Sequence, residues 1–106
     1  MSNSSTTTTN PDWIDNEHAG TLLASEFMEP LSLSAAALAE AINVPVAHLD
    51  AVIEGRSRMN GELDLRLGRY FRMSEGFFLR LQDSYETLEA KRKLNGELDR
   101  IIPRAA

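Results

Sequence analysis

Five arginines fall within residues 56–72 of this 106-residue chain, at positions 56, 58, 66, 69 and 72, against only Glu62 and Asp64. No Lys or Arg precedes Arg56. Guanidinium groups gathered this way suit phosphate, because each is permanently charged and presents a rigid fork of donors. An ordinary solvated helix face laced with ion pairs gives the same composition, so both readings stand at this point. Catalytic chemistry finds less support. The chain has two histidines, His18 and His48, and neither has a Ser/His/Asp arrangement or metal-ligand spacing around it. The carboxylate pair Asp12 and Asp15 lies in a Ser/Thr/Asn-rich segment that buries too little surface to hold preorganised groups. With no cysteine there is no disulfide framework, thiolate metal site or thiol nucleophile, and no cofactor is expected.

The elements around those arginines read as helices, with Arg56, Ser57 and Arg58 on the loop 55–59 between two of them. Residues 34–60, SAAALAEAINVPVAHLDAVIEGRSRMN, read as two short helices and a tight corner. Ser34 offers an N-cap hydroxyl to a run of strong helix formers over 35–42. Asn43 tolerates the left-handed backbone of a sharp turn, and Pro45 can only open the next helix, expected over 46–54. In that helix Leu49, Val52 and Ile53 share one face, leaving Ala47, His48, Asp50 and Ala51 to point elsewhere. Gly55 is the natural stop. Ala39 is small where the two helices cross. This is the spacing of a helix-turn-helix, whose second helix enters the major groove of double-stranded DNA; a plain helical hairpin in a small core is the alternative.

The remaining elements follow from periodicity. A first helix is expected over 21–29, with Leu23 and Phe27 paired and Pro30 at its end, after which Leu31 and Leu33 plug the core. His18 caps or packs at its entry. Asn60 caps a fourth helix over 61–71 that buries Leu63, Leu67, Tyr70 and Phe71. Ser74 caps a fifth, with Phe78, Leu81, Tyr85 and Leu88 along one seam. Glu89 and Lys93 are spaced to pair, Gly96 is a weak point, and Leu98, Ile101 and Ile102 form a last apolar cluster before Pro103. Residues 1–16 are expected to be a disordered tail, with Trp13 and Ile14 able to pack back or anchor a partner. The whole reads as one all-α domain over 17–88, with a helical extension over 89–106 whose apolar residues favour a homodimer.

From residue 20 to 103 the chain resembles the HigA-type antitoxins, a branch of the Xre (phage-repressor-like) helix-turn-helix family. The matching pieces, in order, are His18-Ala19-Gly20 ahead of LLASEFMEPLSLS, ALAEAINVP, EGR at 54–56, LRLGRYF at 65–71, SEGFFLRLQDSYE at 74–86 and RIIPRAA at the C-terminus. The resemblance implies a five- to six-helix domain and a dimeric repressor that binds its own operator and neutralises a small, basic ribonuclease toxin. A helix-turn-helix of this kind would put Val46, Ala47, His48 and Ala51 against base edges, with Asp50 a doubtful member and Val46 suited to a thymine methyl. Phosphate contacts would come from Ser34 and its helix-start amides, Arg56, Ser57, Arg58 and Asn60, with Arg66 and Arg69 as extras. Two departures bear on this. Ala35 stands where the family often has a polar residue such as Gln, and His48 and Asp50 stand where it tends to have Arg and Asn.

Charge and hydropathy agree with a soluble, cytoplasmic regulator. The formal charge is −5, but it divides into −8 up to Gly55 and +3 beyond, from 11 basic and 8 acidic residues. The acidic half suits a basic protein partner, and the local excess of arginine suits phosphate. No apolar run approaches the roughly 18 residues of a membrane span, and the N-terminus lacks the basic and apolar regions of a signal peptide. A stand-alone regulator without a toxin is the second reading. The third is a helical partner-binding module whose recognition helix has lost DNA.

Overall fold

The computed structural model describes residues 16–105, and all its regular structure is helical. Trp13, Ile14 and the Asp12/Asp15 pair lie outside the described residues. Five helices run in order: α1 (Ala19–Leu22), α2 (Ala35–Ile42), α3 (Val46–Ile53), α4 (Gly61–Phe71) and α5 (Phe77–Leu94).

The first helix begins earlier than periodicity predicts and changes pitch along its length. His18 caps it through Nδ1, which accepts from the amides of Gly20 (3.1 Å) and Thr21 (3.3 Å). After Leu22 the turns widen to a π-helix over Leu23–Met28, then tighten to a 3-10 turn over Glu29–Leu31 that contains Pro30. That last turn carries Leu31 outward, 64% exposed, instead of into the core, while Leu33 packs partly buried against it. The early start brings the first turn of α1 onto α3. Gly20 lies against the backbone of α3, and a Cβ there would overlap the carbonyl oxygen of Val52.

The α2–corner–α3 unit follows its residue chemistry closely. Ser34 Oγ accepts from the amide of Ala37 at 3.1 Å. Asn43 takes the left-handed backbone with φ 61°, and the Val44 amide turns back to the Ala39 carbonyl at 3.0 Å. Pro45 precedes α3, and Gly55, with φ 81°, follows its end. Leu38, Ala39, Ile42, Leu49 and Val52 are buried with Leu23, Met59, Leu63, Leu67 and Phe78 in one core. At roughly 1.5–3 kcal/mol for each large aliphatic or aromatic side chain removed from water, this cluster dominates stability. Phe27 joins it through ring contacts of 5.1 Å to both Phe71 and Phe78.

The α4–α5 junction is where expectation and structure part. Ser74 does not cap α5; Gly76, with φ 87°, stands at that position. The orphan amides are met instead by Asp64, one turn into α4 and 2% exposed, which accepts from Gly76 (2.7 Å), Phe78 (2.8 Å) and Leu79 (3.2 Å). A buried carboxylate is tolerable here because amides answer it and the N-terminus of a helix favours an anion. Tyr70, expected inside, is 44% exposed; it flanks Phe71, with which its ring makes an edge contact. Further along, Glu89 pairs with Arg92 at 3.2 Å and takes the Asn16 side chain at 2.8 Å; Lys93 is not its partner. Asn16 therefore belongs to the folded part, since it also donates to the Tyr85 carbonyl at 3.1 Å. The helix α5 runs through residue 89 without a break and ends at Leu94, followed by a 3-10 turn at Glu97–Arg100. Leu98 within that turn is about half exposed, and Ile101 and Ile102 beyond it are extensively exposed.

Candidate nucleic-acid interface

The surface made by α3 and the loop after it carries most of the residues that could meet DNA. Val46, at the first turn of α3, is 43% exposed, and Ala47 beside it is exposed. Asp50 lies four residues after Val46 and so about 40° round the helix from it, on the same face. His48 lies about 200° from Val46 and is half-buried on the flank. Ala51 departs from expectation: it is buried at 8% exposure, and its carbonyl accepts from the amides of Arg56 (2.8 Å) and Ser57 (3.1 Å). Ala51 thus shapes the loop and is not part of the outward face.

Those two hydrogen bonds set the loop that holds the arginines. Arg56 donates through Nε (2.9 Å) and Nη2 (2.7 Å) to one oxygen of Glu54. Arg58 reaches across to α5, where its Nε and Nη2 form a fork on Glu86 at 2.8 and 3.2 Å, with Asp83 at 3.6 Å. The hydrogen bond from Arg58, then one from Gln82, holds the Glu86 carboxyl below its ordinary range. Arg58 is correspondingly held more firmly protonated, first by its hydrogen bond to Glu86. Arg56, Glu54, Arg58 and Glu86 remain roughly half exposed, so each ion pair is weak and exchangeable. Arg56, Ser57 and Arg58 line a small cleft with His18, Gln82 and Tyr85, about 100 Å³ in volume.

The remaining candidates serve structure first. Ser34 and Asn60 both spend their side-chain oxygens on helix caps, Asn60 accepting from the Leu63 amide at 2.9 Å. Both are exposed, and each sits at a helix start where neighbouring amides point outward. Arg66 is drawn away from the set: it caps the C-terminus of α2 by donating to the carbonyls of Ile42 (2.9 Å) and Asn43 (3.4 Å), and it pairs with Glu62 at 3.1 Å. Arg69 stands apart on α4, lining a separate open groove of about 720 Å³ with Leu65, Tyr70, Arg72 and Met73. Asp83 and Glu86, the partners of Arg58, were not expected at the interface. Their i, i+3 spacing on α5 is visible in sequence, but nothing there links it to residue 58.

Comparison with known proteins places this geometry. No protein-family model matches the chain. Virulence-associated protein I of Dichelobacter nodosus is 31% identical over 86 residues, 81% of this chain and 79% of that protein. An uncharacterized helix-turn-helix transcriptional regulator of Escherichia coli, YbaQ, is 31% identical over 77% of this chain and 74% of its own length. Among solved structures, PA4674 of Pseudomonas aeruginosa in complex with its operator DNA is 30% identical with a TM-score of 0.79, covering 85% of this chain and 96% of that one. The antitoxin HigA of the same organism, solved with the higBA promoter, gives 27% identity and a TM-score of 0.77 over 87% of this chain and all of that one. A helical core closed around α2 and α3, an exposed first turn of α3 and these likenesses along most of both chains lead to one assignment: the chain belongs to the HigA-type antitoxins of the Xre helix-turn-helix family.

Proposed function

We propose that this chain is the antitoxin of a toxin–antitoxin pair, a repressor that binds the operator of its own operon and neutralises a small basic ribonuclease encoded beside it. The observation that carries the reading is the likeness, over 85% of the chain, to a protein held on its operator DNA, together with α3 presenting its first turn to solvent and Arg56 and Arg58 in the loop that follows its other end. In this reading Val46 and Ala47, with His48 at the flank, meet base edges. Ser34, Arg56, Ser57, Arg58 and Asn60 meet phosphate. The ion pairs of both arginines are no obstacle, because half-exposed pairs are worth only about 0–1 kcal/mol and a phosphate can replace the carboxylate. The chain acts as a homodimer through Leu98, Ile101 and Ile102, and a two-fold dimer reads half-sites about 34 Å apart, or a multiple of that. The acidic residues of the first half of the chain supply the face for a basic toxin.

A stand-alone regulator is kept as the second reading because relatives such as YbaQ are described as transcriptional regulators. Co-expression with the product of the adjacent small reading frame, followed by affinity capture and sizing, separates the two. A stable complex that relieves that product's toxicity is expected. A toxic neighbour that is neither bound nor neutralised, or no toxic neighbour, moves the assignment to the stand-alone regulator.

A further inference from the structure

The residues of α3, VAHLDAVI, include no Lys, Arg, Asn, Gln, Ser or Thr. Guanine is commonly read in the major groove by Arg or Lys donating to O6 and N7, and adenine by the two-way bond of Asn or Gln; α3 contains none of these side chains. The face instead presents apolar groups and an acceptor: Val46, 43% exposed, with exposed Ala47 beside it, and Asp50, half-buried like His48, one turn on from Val46. The two carboxylates of this face differ. Glu54 is answered by Arg56 at 2.7 Å, whereas the side-chain carboxylate of Asp50 has no hydrogen-bond or ion-pair partner among the described residues, its backbone carbonyl alone accepting, from the Glu54 amide at 2.9 Å. A lone carboxylate on a surface that approaches phosphate is unfavourable unless a donor meets it there. The donors that the major groove offers are base amino groups, and an acidic side chain pairs with the N4 amino group of cytosine. The branched methyls of Val46 suit the C5 methyl of thymine.

We infer that this recognition helix reads a thymine methyl through Val46 and a cytosine amino group through Asp50, and discriminates against guanine at the position Asp50 faces. This rests on the DNA-binding reading above. Val46 then supplies affinity by apolar contact, and Asp50 supplies selectivity: it repels every phosphate, and only a site that offers it an amino group recovers the loss.

The test uses the full chain and fluorescence anisotropy at fixed salt. The probes are a duplex of the gene's own upstream region, the same duplex with uracil replacing thymine, and a scrambled duplex. Losing one methyl contact weakens binding about fourfold, and losing one in each half-site about sixteenfold. Val46→Ala should lose much less than the parent on the change to uracil. Asp50→Asn should bind the scrambled duplex more tightly than the parent does, yet show a smaller ratio of upstream to scrambled affinity. Equal binding of the thymine and uracil duplexes would overturn the Val46 assignment. An unchanged affinity ratio in Asp50→Asn would overturn the Asp50 assignment, leaving that residue as simple repulsion. A parent chain that prefers its upstream region but is indifferent to these changes binds DNA without this code; one with no preference at all contradicts the DNA-binding reading itself.

Discussion

Two acidic residues, each meeting helix α5, show how differently this chain treats its core and its proposed working surface. Asp64 is buried, and its two oxygens take three amides at the start of α5. Glu86, farther along the same helix, is about half exposed and takes the guanidinium of Arg58. Both are charged and both join distant parts of the sequence. The first bond is sheltered from water and cannot be exchanged for another without leaving buried amides orphaned. The second is wet, and water, salt or a phosphate can take either partner at small cost. Fold is thus secured by enclosed polar contacts and close packing, while the arginine side chains after α3 are tied by ion pairs that an incoming ligand can replace.

The largest break in that contrast is Asp64→Ala. Three amide donors at a buried helix start lose their acceptor, and at about 1–3 kcal/mol for each unsatisfied group the loss should be about 3 kcal/mol or more, lowering the midpoint of thermal unfolding by roughly 15 °C. A drop of only a degree or two would mean that water or Ser74 replaces the carboxylate. Next comes Gly20→Ala. Alanine is worth up to about 1 kcal/mol over glycine within a helix, but the added Cβ collides with a backbone carbonyl that cannot swing aside. Overpacking of that kind costs about 1–3 kcal/mol, so a net destabilisation is expected by denaturant titration, and a stabilised variant would show that α1 and α3 can part. The smallest effect belongs to Glu86→Gln. The folded carboxyl is held below its ordinary value by Arg58, so its contribution is present at neutral pH and disappears as pH falls through the lowered value. Unfolding midpoints measured from neutral pH downward should therefore converge for parent and variant in acid. A gap that persists undiminished would mean that the side chain contributes through packing instead.

The contrast also explains which parts were legible in sequence. Ser34, Asn43, Pro45, Gly55 and Asn60 act on the backbone within a few residues of themselves, so the corner between α2 and α3, the stop after α3 and the bounds of α4 follow from local chemistry. The core leucines follow from helical spacing. What escaped is what joins positions far apart: Asp64 capping α5 from 12 to 15 residues away, Arg66 capping α2 from α4, and Arg58 tied to α5. Asp64 reads as a counter-charge among arginines, since nothing nearby announces burial. Leu31 and Tyr70 were misplaced for different reasons. Leu31 is apolar enough for a core, but the π and 3-10 turns before it change which way it faces; Tyr70 keeps the helical spacing of Leu63 and Leu67, yet its side borders the open groove with Arg69 instead of a covering element. Ala51 escaped too: it is buried, and the amides that bond its carbonyl come from Arg56 and Ser57, beyond the end of its own helix.

We expect Arg56 and Arg58 to exchange their carboxylates for DNA phosphates while the buried framework stays as it is. The direct measurement is the salt dependence of binding to the gene's upstream duplex, compared for the parent, Arg56→Ala and Arg58→Ala. If each arginine releases one counterion on meeting phosphate, each substitution should weaken binding to specific and scrambled duplexes alike and reduce the slope of log affinity against log salt by about one unit, with an unfolding midpoint close to that of the parent. Slopes that match the parent's would contradict the claim, leaving both arginines as ion-pair partners of the fold.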